Sequence, residues 1–291
     1  MLSLHTNNAA LSAQNSINRT QGSLSTSMTR LSTGYRINSA MDDAAGLQIA
    51  TRLKAQTSGM AVAMRNTQNS TSMLQTAEGA LDEVSNMVVR VKDLATQAAD
   101  ASSTAADKTA MQSEYDALGV ELNNVMNNTT FGGAKLLVGG TIAASMTFQI
   151  GSSTTEKMTV DLSTQMGTLV TDVTAMDTAI GATSGTYTAP ATPGTELTAS
   201  ANATIDLLST ALSSIGTIRS ALGASANRLE HVYNNLSNIS TNSKAATGRI
   251  MDVDFASESS KMTTSQMLLQ AGTAMLKQSN SMSSMVMSLL Q

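Results

Sequence analysis

Residues 77–95, AEGALDEVSNMVVRVKDLA, place apolar side chains alternately four and three positions apart. The row consists of Ala77, Leu81, Val84, Val88, Val91 and Ala95. Such spacing keeps one narrow apolar stripe along a helix, and a stripe of this kind is covered only by a matching stripe on another helix. The stretch therefore predicts a long helix that packs in a coiled-coil manner.

The period of seven extends beyond this stretch. Every seventh residue from Leu53 to Ala95 belongs to one row: Leu53, Met60, Thr67, Leu74, Leu81, Val88 and Ala95. A second row is Leu208, Ile215, Leu222, Leu229 and Leu236, with a companion row of Ile205, Leu212, Ala226 and Tyr233 in which Arg219 is the polar exception. A third row is Met111, Tyr115, Leu118, Leu122 and Val125. These rows predict coiled-coil-like helices over roughly 42–100, 107–128 and 200–240.

The composition favours a narrow core. Only 2% of the 291 residues are aromatic, and none is tryptophan. Small and flexible side chains suit the seam between close-packed helices, whereas large rings fill wide interiors. The predicted fold class is therefore mainly α, a long coiled-coil-like helical bundle.

Weaker rows run through both ends of the chain. Ile17, Leu24 and Leu31 are seven apart, with Leu4 and Leu11 offset from them, and the C-terminal row is Leu268, Met275, Met282 and Leu289. Serine, asparagine, glutamine and threonine surround these residues, and an isolated helix of this kind is marginal in water. We therefore expect the N- and C-terminal helices to pair in an assembly, with these nine residues as candidates for subunit contacts.

The middle of the chain has a different pattern. Apolar and polar residues alternate at Met146, Phe148 and Ile150 and again at Met158, Val160 and Leu162, which predicts a β-hairpin. Glycine pairs on both sides of KLLV (135–138) predict turns around a short strand. Residues 163–200 are rich in Thr, Ala and Gly and contain both prolines, Pro190 and Pro193, which predicts an exposed loop or a small excursion at a tip.

Residues 31–50, LSTGYRINSAMDDAAGLQIA, interrupt the helical pattern. Gly34 is placed to end the first helix, because glycine adopts positive φ without strain. Ser39 is placed to cap the next helix, with Asp42 completing a near capping box and Asp43 in the first turn. The alternative is a pair of catalytic or metal-binding carboxylates, but adjacent residues on a helix do not face each other. The aspartates are predicted to start a helix.

Few other residues suggest chemistry. The two histidines, His5 and His231, have no metal-ligand spacing, and no nucleotide-binding or nucleophile motif is present. Asp252 and Asp254 are interpreted as solvated or helix-starting carboxylates, and Tyr35 and Arg36 as residues that pack or pair across the helix break. We predict no catalytic, cofactor-binding or metal-binding residue, no cofactor and no enzyme activity.

Composition also limits partners and compartment. A net charge of −4 with 13% charged residues gives no basic face, so nucleic acid is not an expected partner. No apolar run approaches the roughly 20 residues of a membrane helix, and the first residues lack the features of a secretory signal peptide. The absence of cysteine excludes disulfides without fixing the compartment. These features alone would indicate a soluble cytosolic protein.

A family resemblance changes that expectation. LSTGYRINSAMDDAAGLQIA resembles the N-terminal signature of bacterial flagellin, and residues 248–291, GRIMDVDFASESSKMTTSQMLLQAGTAMLKQSNSMSSMVMSLLQ, resemble the flagellin C-terminus. TAEGALDEVSNMVVRVKDLATQAA (76–99) and TTFGGAKLL (129–137) are also similar to flagellin sequences. The resemblance covers about residues 1–165 and 200–291, which is typical of a minimal flagellin with little beyond the inner two domains.

The resemblance implies an architecture. Residues 1–40 and 250–291 would form an inner coiled-coil domain, and residues 41–249 a rod-like helical domain with the hairpin, including 163–200 as a variable outer remnant. The chain would be a non-enzymatic subunit that self-polymerises into the helical flagellar filament for motility. It would be secreted by the flagellar type III apparatus to the extracellular filament, without membrane insertion.

The resemblance also implies partners. An export chaperone would bind the C-terminal segment from Leu268 to Leu289, and filament cap and hook-associated proteins would bind the filament. A vertebrate Toll-like receptor that senses flagellins would contact Arg90 and Leu94, with Glu114 on the neighbouring helix. The alternative for Arg90 and Glu114 is that they are solvated residues of a helix face.

Two other functions remain open on the sequence. A hook–filament junction protein shares the same terminal plan. A cytoplasmic coiled-coil signalling or scaffold protein would need no apolar assembly row that runs to the last residue.

Overall fold

The computed structural model of the chain describes residues 7–176 and 194–289, with side chains up to residue 282 at the C-terminal end. Within these residues the order of elements is α1 Asn8–Thr33, α2 Ala44–Ala99, α3 Ala105–Asn128, β1 Thr130–Phe131, β2 Ala134–Lys135, β3 Met146–Gln149, β4 Lys157–Val160, α4 Ser163–Met176, α5 Glu196–Ala199, α6 Ala201–Met251 and α7 Phe255–Leu289. The mainly α fold class is confirmed. The chain forms two compact units, residues 1–57 with 241–291, and residues 58–240.

The core of the unit 58–240 follows the predicted rows. In α2 the row from Met60 to Ala95 is buried throughout, while Leu53, in the other unit, is half-buried. In α6 all five members of the row from Leu208 to Leu236 are buried. Burying each such side chain contributes about 1.5–3 kcal/mol. The main apolar stripes are therefore confirmed.

The companion row of α6 is corrected by one position. The buried companions are Thr204, Ala211, Ile218 and Ser225, whereas the predicted Ile205, Leu212, Ala226 and Tyr233 are half-buried. Both sets keep the four-and-three spacing around the leucine row, so spacing alone does not distinguish them. Most of the buried companions have small side chains, which allow neighbouring elements to approach closely. The larger side chains lie at the edge of the core.

Arg219, the polar exception, lies at that edge. Its Nη2 is 2.9 Å from Glu78 Oε1 and 2.9 Å from Asp82 Oδ1, both on α2. The hydrogen bond to Glu78 and the two negative charges raise the pKa of the Arg219 guanidinium. Arg219 therefore forms ion pairs that join α6 to α2 at the edge of the apolar core.

Helix α3 begins with a capping box that sequence reasoning did not identify. The Thr104 hydroxyl accepts from the Asp107 amide, and the Asp107 carboxylate accepts from the Thr104 amide, so the helix begins at Ala105. Met111, Tyr115 and Leu122 of the predicted row are buried. The Tyr115 hydroxyl donates to the carbonyl of Met176 at the end of α4.

The two short hairpins confirm the glycine turns and the alternating pattern. Met146 pairs with Val160 and Phe148 with Met158 in the antiparallel β3–β4 ladder. Gly132 and Gly133 form the β1–β2 turn with φ of 59° and 85°. Of the predicted KLLV strand only Lys135 is in β2. Leu136 and Leu137 are buried outside it, because they pack into the core rather than extend the ladder.

The prediction of an exposed loop over 163–200 is wrong for its two described ends. Residues 163–176 form α4, whose buried residues Met166, Leu169, Val173 and Met176 have the helical spacing of three and four. The many threonines and glycines obscured this row in the sequence. At the other end Leu197 of α5 is buried. The intervening residues 177–193, which include Pro190 and Pro193, lie outside the described residues.

In the unit formed by the chain ends, α1 packs against α7. The Asn7 side chain donates to the carbonyl of Ser279, whereas Ser27 donates to Glu258, so the two helices are antiparallel. The expected pairing of the terminal helices is confirmed. Over the described residues, no helix has the length and apolar character needed to cross a membrane.

Candidate assembly surface

The first helix ends at Gly34. This residue has φ of 76°, and its amide donates to the carbonyl of Arg30 at 2.9 Å. Glycine adopts this left-handed conformation without the cost that a side chain would add. The predicted C-cap is confirmed.

Backbone hydrogen bonds then join the residues after α1 to the residues before α7. The Arg36 amide donates to the carbonyl of Met251 at 2.6 Å, and the Val253 amide donates to the carbonyl of Gly34 at 3.0 Å. The Arg36 guanidinium also donates to the carbonyl of Ile250. We call this contact of residues 34–36 with 250–253 the backbone junction. It confirms that Tyr35 and Arg36 pair across the break.

Asp42 and Asp43 both accept hydrogen bonds from backbone amides near the start of α2, but their roles differ from the prediction. Asp43 caps α2, because its Oδ1 accepts from the Gly46 amide at 2.8 Å. Asp42 instead caps the preceding turn by accepting from the amides of Asn38 and Ser39. The Ser39 hydroxyl donates to Asp42 rather than accepting from α2. Two backbone hydrogen bonds lower the pKa of Asp42.

Asp254 starts α7 in the same way. Its carboxylate accepts from the Ala256 amide and from the Ser257 hydroxyl, and these bonds lower the pKa of Asp254. Asp252 forms a backbone bridge with Tyr35. Both carboxylates thus lie at the helix break and are helix-starting or exposed, as predicted. Among the described residues no group of three His, Asp or Glu side chains could hold a metal ion.

The seam between α1 and α7 is only partly covered. Residues that are buried or half-buried recur four and three positions apart along both helices. They are Ala10, Ala13, Ile17, Thr20, Leu24, Ser27 and Leu31 in α1, and Glu258, Met262, Ser265, Leu269, Gly272, Leu276 and Ser279 in α7. The helices are close at Gly272, where an added Cβ would lie 2.9 Å from Ile17 Cγ1. The predicted Ile17, Leu24 and Leu31 belong to this seam.

The predicted row of α7 does not belong to the seam. Leu268, Met275 and Met282 are 55–67% exposed, and Met267 beside them is 58% exposed. The side chains that pack on α1 are Leu269 and Leu276, one position further along the helix. Helix α7 therefore has a second apolar row that flanks the seam and is not covered. We call Met267, Leu268, Met275 and Met282 the outer row.

The other candidates for assembly fall in different places. Leu11 of α1 is 53% exposed. Leu4 lies outside the described residues, and the side chain of Leu289 is likewise beyond the described part. The assembly candidates are thus divided between the seam and exposed positions of the terminal helices.

A buried carboxylate inside the seam was missed by sequence reasoning. Glu258 Oε1 accepts from the Ser27 hydroxyl at 2.6 Å, while Lys261 Nζ and Arg30 Nη1 lie 3.6 and 3.9 Å from its oxygens. The Ser27 hydrogen bond lowers the pKa of Glu258, with help from the two cations and against the effect of burial. The sequence did offer one indication, because Ser27 and Glu258 both lie on the rows of α1 and α7 that are spaced four and three residues apart.

The residues predicted for receptor contact are close together. The Arg90 guanidinium lies 2.5 Å from Glu114 Oε1, and both side chains are about half exposed. Leu94 is 3% exposed, so its side chain lies beneath the surface that carries this ion pair. The pair connects α2 to α3.

Comparisons with known proteins give the family. The bacterial flagellin N-terminal helical region matches residues 4–141, and the bacterial flagellin C-terminal helical region matches residues 205–290. The chain is 35% identical to flagellin A of Vibrio anguillarum over 380 aligned positions, with all of both chains covered. It is 37% identical to a flagellin of Halalkalibacterium halodurans over 277 positions, 94% of each chain.

A solved structure shares the fold. The structure of a putative flagellar hook-associated protein from Vibrio parahaemolyticus matches with a TM-score of 0.57 over 72% of this chain and 100% of that one. Its sequence identity is 16%, so the likeness is one of fold alone. The full-length relatives at 31–37% identity are flagellins, which favours this class over a hook–filament junction protein or a cytoplasmic scaffold. The chain belongs to the bacterial flagellin family, the structural subunits of the flagellar filament.

Proposed function

We propose that copies of this chain pack against one another in the filament through the outer row of α7. The observation that carries this proposal is the exposure of four large apolar side chains on a helix that already uses another row to pair with α1. Exposed apolar patches of this kind mark interaction sites. Covering each side chain contributes about 1–2 kcal/mol. Contacts between different surfaces of identical subunits propagate as a helix when they do not close into a ring.

The experiment introduces a charge into the outer row. Leu268→Glu and Met275→Glu place a carboxylate where an apolar contact is required, so we expect at least a tenfold fall in the protein that pellets as filaments after salting-out. Gln270→Glu is the matched control, because it adds the same charge at an exposed position of α7 outside the row. Electron microscopy checks that the pelleted material is filamentous.

The outcome that contradicts the proposal is equally direct. Filaments formed by Leu268→Glu as readily as by Gln270→Glu would exclude the outer row as an assembly surface. Circular dichroism of the soluble variants distinguishes a loss of assembly from unfolding. We expect unchanged helix content, since the outer row lies outside the α1–α7 seam.

Membership of the flagellin family supports proposals for the domain arrangement and the remaining partners. We propose that residues 1–40 and 250–291 form the inner coiled-coil domain, and that residues 41–249 form a rod-like helical domain with the hairpin. The pairing of α1 with α7 supports the first part. Before export through the flagellar type III apparatus, a chaperone would cover the outer row. Filament cap and hook-associated proteins would bind the assembled, extracellular filament, and the role would be purely structural.

A second proposal concerns recognition by a flagellin-sensing Toll-like receptor. The exposed Arg90–Glu114 pair supports it, because charged groups at a surface of this kind are available to a partner. Leu94 would position α2 beneath the pair rather than contact the receptor, since it is buried. We expect monomeric Arg90→Ala to lose at least tenfold in potency in a receptor reporter assay.

The control for this assay is Arg65→Ala, which removes another exposed arginine of α2. Equal potency of the two variants would argue that Arg90 is only a solvated residue of the helix face.

A further inference from the structure

The methionines of this chain are divided between the two units by exposure. Within the described residues of the unit 58–240, eight methionines are buried, at 1–8% exposure: Met60, Met87, Met111, Met126, Met146, Met158, Met166 and Met176. Among the residues of the chain-end unit whose side chains are described, five methionines are 55–96% exposed: Met28, Met41, Met267, Met275 and Met282. The thioethers open to solvent are thus concentrated on the part of the chain that carries the outer row.

We propose that Met267, Met275 and Met282 are an oxidant-sensitive modification site that decides whether a free subunit can enter a filament. The proposal rests on the assembly role of the outer row and adds a regulatory property to it. The reagent is a peroxide.

The chemical step is a transfer of one oxygen atom. The thioether sulfur attacks one oxygen of hydrogen peroxide, the O–O bond breaks, and the other oxygen leaves as hydroxide. The transferred oxygen gives up its proton, which solvent passes to the hydroxide to form water. The sulfur is oxidised by two electrons, and the peroxide is reduced by two. The product is methionine sulfoxide, which replaces a flexible apolar group by a polar one.

Oxidation of these residues has a different consequence from oxidation of the core. A sulfoxide oxygen on the outer row is hydrated in the free subunit, so the α1–α7 seam persists. The same oxygen would lose its water in an apolar subunit contact without gaining a donor, which is unfavourable. The buried methionines of the unit 58–240 are protected by their packing. Peroxide therefore blocks assembly without unfolding the subunit.

Assembly would also protect the row. Once neighbouring copies cover Met267, Met275 and Met282, peroxide no longer reaches their sulfur atoms. The site would act on unassembled subunits and leave finished filaments intact. Because methionine sulfoxide is reduced by methionine sulfoxide reductases, the block would be reversible.

The test treats full-length free subunits with hydrogen peroxide and maps sulfoxides by peptide mass spectrometry. We expect the oxidised fraction at the three outer-row methionines to exceed that at Met60 and Met166 at least tenfold. We expect a fall of at least tenfold in pelleted filament after salting-out, with unchanged circular dichroism. Reduction by a pair of methionine sulfoxide reductases should restore polymerisation, and preformed filaments should resist oxidation at the same three positions.

Two variants locate the effect. In M267L/M275L/M282L the row stays apolar but cannot be oxidised, so the ratio of treated to untreated pelleting should stay near one, whatever its basal value. M28L/M41L removes the other two exposed methionines and should remain as sensitive as the unsubstituted chain. An equal loss in the triple variant, or insensitivity in M28L/M41L, would overturn the assignment to the outer row.

The failure of this inference is distinguishable from that of the assembly surface. If Leu268→Glu blocks polymerisation but subunits with all three sulfoxides still polymerise, only the oxidation site is wrong. If neither change blocks polymerisation, the outer row is not the assembly surface and both proposals fall. Outer-row methionines that remain reduced in the treated free subunit would overturn the oxidation site at its first step.

Discussion

The core of the unit 58–240 and the seam of the terminal helices share one sequence period but bury different side chains. In α2 and α6 the buried rows consist mainly of leucine, isoleucine, valine and alanine, and the polar residues among them, such as Thr67 and Thr204, are uncharged. In α1 the one buried residue is Ser27, and its partner across the seam is the buried Glu258. The difference teaches that four-and-three spacing predicts which residues face another helix, but not how completely they are covered.

This difference has an energetic meaning. A closed apolar row stabilises a single subunit through burial. A half-covered seam with a polar pair leaves apolar area for other contacts, and the outer row adds more. The unit 58–240 thus buries its apolar rows within a single subunit. The terminal unit retains exposed apolar surface that other copies of the chain can cover.

The largest expected effect tests the closed core. Leu81→Ala removes a fully buried side chain and should lower the free energy of unfolding by about 2–5 kcal/mol. Leu24→Ala removes the same atoms from the half-covered seam and should cost about 1 kcal/mol. Denaturant unfolding followed by circular dichroism compares them, and equal losses would break the distinction between the two regions.

The next effect tests the polar pair. Glu258→Ala leaves the Ser27 hydroxyl without its acceptor and removes one of the two carboxylates near Arg30, since Asp42 remains, at a cost of about 1–3 kcal/mol. We expect faster amide hydrogen exchange in α1 and α7, and little change in α3. Glu258→Gln is the matched control, because an amide oxygen still accepts from Ser27. Unchanged exchange in Glu258→Ala would mean that the apolar seam alone holds the helices together.

A smaller effect is expected at the start of α2. Asp43→Ala removes the cap on the Gly46 amide and should cost about 1 kcal/mol. Asp43→Asn keeps an oxygen at the cap and should retain most of the stability. Thermal unfolding of the two variants measures the difference, and a loss of equal size in both would point to the charge rather than to the hydrogen bond.

The smallest effect is a difference in acid sensitivity. Because Ser27 and the neighbouring cations lower the pKa of Glu258 in the folded chain, its stabilising contribution is present above the unfolded value near 4.5. That contribution is lost as the pH falls through the lower folded value. The protection factors of the α1 amides, which are corrected for the intrinsic exchange rate at each pH, should therefore fall more steeply on acidification in the parent than in Glu258→Gln. Parallel profiles would remove Glu258 as the acid-sensitive group.

Much of the fold could be predicted because strong periods leave few alternatives. The rows ending at Ala95 and Leu236 determined the long helices, and the alternation around Phe148 determined the hairpin. Gly34 and the aspartates marked the helix break, although the cap of α2 was predicted at Ser39 and is formed by Asp43. Two neighbouring carboxylates can both cap, and only the backbone geometry decides which one reaches the amides of α2.

The missed features depend on packing that spacing does not encode. Leu268 and Leu269 are adjacent, and both rows through them are apolar, so the sequence did not determine which one meets α1. Helix α4 was missed because its small polar residues resemble a loop, although its apolar residues keep the helical period. Glu258 was missed because charged residues are seldom buried unless they are paired. The sequence does not show that Ser27 lies opposite Glu258.

The backbone junction has a mechanical consequence. It closes a ring between two points of the polypeptide that are more than two hundred residues apart, through main-chain amides and carbonyls at Gly34, Arg36, Met251 and Val253 and one further bond from the Arg36 guanidinium. A force applied along either terminal helix is therefore transmitted both to the first turns of α2 and to the last turns of α6. It does not act on one of these connections alone. Because peptide groups carry two of these bonds, side-chain substitutions on the terminal helices leave in place the connection that a rotating filament would load.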